Sequence, residues 1–149
     1  AILPPGGSAE GLAVNDSGQV AGTWRLPCQK VFCATHVSHA FLYGNGVFKD
    51  IDTLGSELES VPHAINKDGV VVGHMTNTDE WENFRAFVYK NGKMQLLNDL
   101  LDASGAGWTL IEAYAVDDRG VILARGYRNG DWQNMATVLL EPSAKPAAR

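Results

Sequence analysis

Apolar and polar positions fall into short runs broken by turn residues, and the runs return in phase along the chain. The phrase from Ala64 to Gly73, AINKDGVVVG, sets the pattern: a half-apolar run ends in the turn Asn66-Lys67-Asp68-Gly69, and Val70-Val71-Val72 leaves it. Asp-Gly between apolar runs predicts a hairpin. Glycine takes φ > 0 without a Cβ clash, and an Asp or Asn beside it tolerates the left-handed region. The phrase occurs again as AVNDSGQVAG from Ala13 and AVDDRGVILA from Ala115, and the spacings 64 − 13 and 115 − 64 are both 51. A hairpin written three times at one period is an internal repeat.

Each repeat divides into short strands. The first gives Glu10 to Asn15, Gln19 to Trp24, Ser38 to Tyr43 and Val47 to Asp52; the second gives Val61 to Asn66, Val70 to Met75, Phe84 to Lys90 and Lys93 to Leu97. The third gives Ile111 to Asp117, Val121 to Gly126 and Met135 to Leu140, with no convincing fourth strand. Asn45-Gly46 and Asn91-Gly92 predict type I′ turns between the third and fourth strands. The repeats are expected to span residues 8–52, 53–100 and 101–140 of a single domain, 1–140, with a disordered Pro- and Ala-containing tail at 141–149.

Several strands are continuously apolar, among them Val70-Val71-Val72, Val121-Ile122-Leu123 and Ala40-Phe41-Leu42. Such runs suit strands covered on both faces, whereas a sheet with one wet face alternates. The small residues Gly22, Gly73 and Ala124 recur in register, where neighbouring backbones are expected to crowd. The fold expected is all-β and β-propeller-like, with three antiparallel four-stranded blade repeats, each sheet sandwiched by its neighbours. A stacked β-solenoid is the alternative.

The recurring A-[IV]-[ND]-x-x-G-x-[VI]-x-[GA] phrase, with His39-Ala40-Phe41 followed by Tyr43, Asn45 and Gly46, resembles the HAF repeat family, also called probable extracellular repeats. The connector Asp52-Thr53-Leu54-Gly55 and the stretch from Leu97-Asn98-Asp99-Leu100-Leu101 through Gly107-Trp108-Thr109-Leu110 are similar to it as well. The third copy departs, with Met135-Ala136-Thr137 in place of the triplet. The resemblance implies an exported bacterial protein, extracellular or at the cell surface, and brings no catalytic residues to carry over.

Propellers close with about four to eight blades. Three repeats leave two sheet faces uncovered, so either further repeats lie in a longer chain or copies associate, in a closed ring or a filament. The opening ILPPGGSAEG reads as a connector between repeats, so chain is expected to precede it in the full gene product. Net charge is 12 − 17 = −5, with no run of Lys or Arg longer than one residue, which disfavours nucleic acid. No apolar stretch approaches the ~20 residues of a membrane span.

The loop of the first repeat holds Cys28, Cys33, His36 and His39. For an exported protein the pair Cys28–Cys33 is expected to form a local disulfide, contributing about 2 kcal/mol on the chain-entropy model. Zinc on the Cys/His set and free thiols are the alternatives, the ligands being compressed within twelve residues and His39 belonging to a strand. No metal or cofactor is called for.

The loops between second and third strands carry Trp81-Glu82-Asn83 and Trp132-Gln133-Asn134, the tryptophans 132 − 81 = 51 residues apart. In a propeller these loops emerge on one face. An aromatic platform flanked by amides and carboxylates suits a glycan, whose C–H face stacks while its hydroxyls bond the polar groups. The plainer reading is that the rings cap the blade edge. No nucleophile–base arrangement is present: Ser38 and His39 are adjacent on a strand and point to opposite faces, and no GxSxG or HExxH occurs. The function expected is a non-enzymatic structural or interaction module that self-associates through its blade faces. A carbohydrate-binding module is the second reading and a polysaccharide-acting enzyme the third.

Overall fold

A computed structural model describes residues 8–25, 37–54, 59–76 and 83–143. These residues form three antiparallel meanders in chain order. β1 (Ser8–Val14), β2 (Val20–Arg25), β3 (Ser38–Gly44) and β4 (Val47–Asp50) make the first sheet, and β5 (Glu59–Ile65), β6 (Val71–Thr76), β7 (Arg85–Lys90) and β8 (Lys93–Leu96) the second. The third has β9 (Trp108–Val116), β10 (Ile122–Arg128) and β11 (Ala136–Leu140). The expectation of four strands in every repeat is corrected here: among the described residues the third sheet has three. Chain leaving β11 meets Pro142, which has no N–H to give a returning ladder.

The turns follow their chemistry. Asn45 and Gly46, at φ 52° and 79°, and Asn91 and Gly92, at 54° and 80°, take the two left-handed positions that a type I′ hairpin requires. In the repeated phrase Gly69 N donates to Asn66 O (3.1 Å) and Asn66 N to Val70 O (3.1 Å), a three-residue loop closed by Gly69 at φ 76°. β9 begins three residues before its predicted start (111 − 108) because Asn98 extends it. The Asn98 Nδ2 donates to Trp108 O (2.7 Å), and its Oδ1 accepts from Leu110 N (2.8 Å).

The first hairpin of each repeat carries a bulge at the same repeat position. Gly11 faces Gly22 and Ala13 faces Ala21, skipping Leu12; Pro62 faces Gly73 and Ala64 faces Val72, skipping His63; Ala113 faces Ala124 and Ala115 faces Leu123, skipping Tyr114. The crowding expected at the small residues is present at two of the three: a Cβ on Gly22 would lie 2.0 Å from Glu10 O, and one on Gly73 2.0 Å from Val61 O, whereas Ala124 accommodates its Cβ within the core.

The sheets stack in sequence. β5 lies against β1, β2 and β3, and β9 against β5, β6 and β7. Side-chain alternation splits the second sheet between two cores. Val71, Met75, Phe87, Tyr89 and Met94 pack with Ala21, Ala40 and Ile51 of the first sheet. Val70, Val72, Ala86 and Val88 pack with Leu110, Ala113, Ile122 and Ala124 of the third. Hence β6 is buried at all six positions, as a strand covered on both faces must be. The outer strand β11 instead alternates exposed and half-buried over Thr137–Leu140.

A ladder of turn side chains ties the repeats at the 51-residue period. Asn15 Nδ2 donates to Asn66 O (2.9 Å), and Asn66 Nδ2 to Asp117 O (3.0 Å). The third copy has Asp117 at this place. Its carboxylate accepts from Arg119 N and Val121 N within its own turn, and it has no N–H with which to continue the ladder.

Candidate functional site at the junction of the second and third sheets

The bulge in β5 gives His63 the extra position of its hairpin, and β6 sends His74 to the same side, toward β9 of the next sheet. His63 Nε2 and His74 Nδ1 are 2.8 Å apart, and the two rings stack at 5.0 Å. His74 also lies parallel to Phe84, with ring centroids 4.2 Å apart. From β9, Glu112 brings Oε1 to 3.8 Å from His74 Nδ1. Its Oε2 accepts from Tyr114 Oη, the bulged residue of the third sheet, and lies 3.9 Å from Arg125 Nη1. The donor atoms of His63, His74 and Glu112 all fall within 4.8 Å of one another.

Burial sets the charge state of this cluster. It pushes His74 down to about 4, helped by its neighbour His63 and opposed by Glu112. His63 is lowered for the same first reason, against the pull of Glu112. Tyr114 is raised, by burial first and then by its bond to the Glu112 carboxylate. Near neutral pH both imidazoles are uncharged, so one ring nitrogen of the pair carries the shared proton and the other accepts it.

Beside the cluster lies a cavity of about 610 Å³ lined by Phe84, Ile111, Glu112, Arg125, Trp132, Gln133 and Met135. Trp132 and Gln133 thus share a cleft with Phe84, which follows Asn83. Asn83 is half-buried at the entry to β7. Asn134 does other work: it holds its own loop, through Nδ2 to Asp131 Oδ2 (2.8 Å). Trp81, Glu82, Cys28, Cys33 and His36 lie outside the described residues. His39 is a β3 residue, bonded through Nδ1 to Asp50 Oδ2 at 2.8 Å, which raises its pKa.

Over residues 6–138 the chain matches the model of a family described as a protein of unknown function (DUF3466). The chain belongs to the DUF3466 family. No curated protein and no solved structure matches it. In this DUF3466 chain His63, His74 and Glu112 belong to no local sequence motif, so motif reading of the sequence does not single them out. The signal lay in the repeat alignment. At the bulge the three copies have Leu12, His63 and Tyr114 (12 + 51 = 63, 63 + 51 = 114), and across the hairpin Thr23, His74 and Arg125 (23 + 51 = 74, 74 + 51 = 125). Two otherwise regular positions turn polar and aromatic together, and they do so in the two sheets that share this junction.

Proposed function

We propose that the chain is an exported, non-enzymatic β-repeat module of propeller-like build, akin to the HAF repeats, that associates through the outer face of its first sheet. The observation that supports this is Val14. Its repeat equivalents Ile65 (14 + 51) and Val116 (65 + 51) pack against the two inter-sheet cores, while Val14 is 68% exposed beside Leu12. The groove around them is lined by Gly11, Leu12, Ala13, Val14 and Val20. The same face has the ring stack of Phe41 on Phe48, with Trp24 at its edge.

The partner proposed is a second copy, first sheet to first sheet. A head-to-tail contact would set Asp117 where the ladder needs a donor, against a backbone carbonyl. An isologous contact closes at two copies and builds no filament. Sedimentation velocity on the wild type and on Val14→Asp tests this: a dimer that the substitution converts to a monomer is expected. A wild type that stays monomeric as concentration is raised, or an open-ended polymer, overturns it.

A second reading, glycan binding, is favoured by Trp132 and Gln133 lining one cavity with Glu112 and Arg125. It predicts tryptophan fluorescence changes across a glycan panel that Trp132→Ala removes; a flat response in the wild type sinks it.

A further inference from the structure

We propose that His63, His74 and Glu112 bind a divalent first-row transition-metal ion at the junction of the second and third sheets. The site is independent of the association surface, which lies on the opposite side of the first sheet. Two imidazole nitrogens and a carboxylate oxygen are donors such ions accept, with bonds of about 2.0–2.2 Å. Tetrahedral angles at those bond lengths place donors roughly 3.3–3.6 Å apart. Two of the separations, 2.8 Å between the histidines and 3.8 Å from His74 to Glu112, bracket that spacing, and the third, from His63 to Glu112, is within 4.8 Å, so side-chain rotations close the set.

The surroundings are built as a ligand shell is. Glu112 is held by its other oxygen, which accepts from Tyr114 Oη and faces Arg125, so Oε1 is left toward the histidines. Outer partners of this kind orient a ligating carboxylate. His74 is clamped between Phe84 and His63, which fixes its ring plane. A β-bulge supplies His63, and bulges re-aim side chains beside functional sites. Three protein donors leave a coordination position open. Glu112 also lines the cavity with Arg125, Trp132 and Gln133, so water or a small anionic or hydroxylated ligand reaches the ion from that side.

The test uses Zn²⁺ on the full chain after chelator treatment, with stoichiometry from equilibrium dialysis and affinity from competition with a chromogenic chelator. One ion per chain is expected, and binding persists when Cys28 and Cys33 are both replaced by Ser, which separates this site from the cysteine loop. Glu112→Gln and His63→Ala each weaken binding at least 100-fold, and Tyr114→Phe weakens it about 10-fold through orientation alone. Co²⁺ in the same site gives visible d–d bands without a thiolate charge-transfer band. Circular dichroism in excess chelator shows which variants fold, and either Glu112→Gln or His63→Ala suffices to decide. No stoichiometric uptake, uptake lost with the cysteines, or affinity unchanged in a folded Glu112→Gln or His63→Ala variant overturns the proposal.

Discussion

Asn66→Asp isolates the ladder that joins the repeats, because it exchanges an amide for a carboxylate of nearly the same shape. Asn66 is 5% exposed, its Oδ1 accepts from Asp68 N (3.1 Å) and Val70 N (3.0 Å), and its Nδ2 donates to Asp117 O at 3.0 Å. A carboxylate retains both accepted bonds and loses the donated one, worth about 1 kcal/mol. It also sets a buried negative charge against the Asp117 carbonyl oxygen. The penalty has a ceiling, since the carboxyl can protonate and donate again. Holding it protonated at pH 7 against an ordinary value near 3.9 costs ~4 kcal/mol.

The expected destabilisation is therefore about 2–4 kcal/mol at pH 7. With an m-value of ~2 kcal/mol/M, the urea midpoint followed by tryptophan fluorescence falls by roughly 1–2 M. The introduced carboxyl has its pKa raised in the folded state, so the defect grows as pH rises above the unfolded value and shrinks on acidification to about pH 4. Asp117→Asn is the control: the amide oxygen keeps the bonds from Arg119 N and Val121 N, only the exposed ion pair of Oδ2 with Arg119 Nε is lost, and the change stays within ~1 kcal/mol. An Asn66→Asp variant as stable as the wild type at pH 7 would refute the ladder's part in joining the sheets.

Three other changes probe the same account. Gly73→Ala places a Cβ 2.0 Å from Val61 O and 2.8 Å from Pro62 Cα, backbone atoms that cannot rotate away, and is expected to cost at least ~3 kcal/mol by thermal or urea unfolding. A neutral result would show that the hairpin is not crowded there. Asp50→Asn removes the acceptor that raises His39; that stabilisation is complete below the ordinary histidine value and disappears as pH rises through the raised folded one. The variant should thus be about 1 kcal/mol less stable than the wild type at pH 6 and closer to it at pH 9, and a gap that widens with pH would contradict the pairing. Trp132→Ala removes a ring that is only 49% exposed, so it is expected to cost about 1–2 kcal/mol by urea unfolding while the fold is kept, and loss of the folded state would contradict its place at the cavity rim.

The repeat, its hairpin turns and the two-faced burial of the middle sheet were legible because each is written locally. Glycines at 18, 69 and 120 mark the turns, and Val70-Val71-Val72 splits between two cores by simple alternation. The early start of β9 was not legible, since it depends on Asn98, ten residues away from Trp108, standing in for a neighbouring strand. The junction cluster was hidden for a related reason. His63 and His74 are 11 residues apart and Glu112 is a further 38 away (112 − 74), and only sheet stacking brings them together. Trp132 and Gln133 stand out in the sequence because their loop recurs at the repeat period, and they line the cavity beside the cluster, while Asn134, in the same phrase, serves the loop itself.

Backbone hydrogen exchange, recorded strand by strand at low and high protein concentration, tests the stacking of sheets most directly. The account predicts that β6, covered on both faces, exchanges slowest at either concentration, and that β1 and β2 gain protection as concentration rises. Protection of β1 equal to that of β6 in dilute solution, or a first sheet indifferent to concentration, would contradict it.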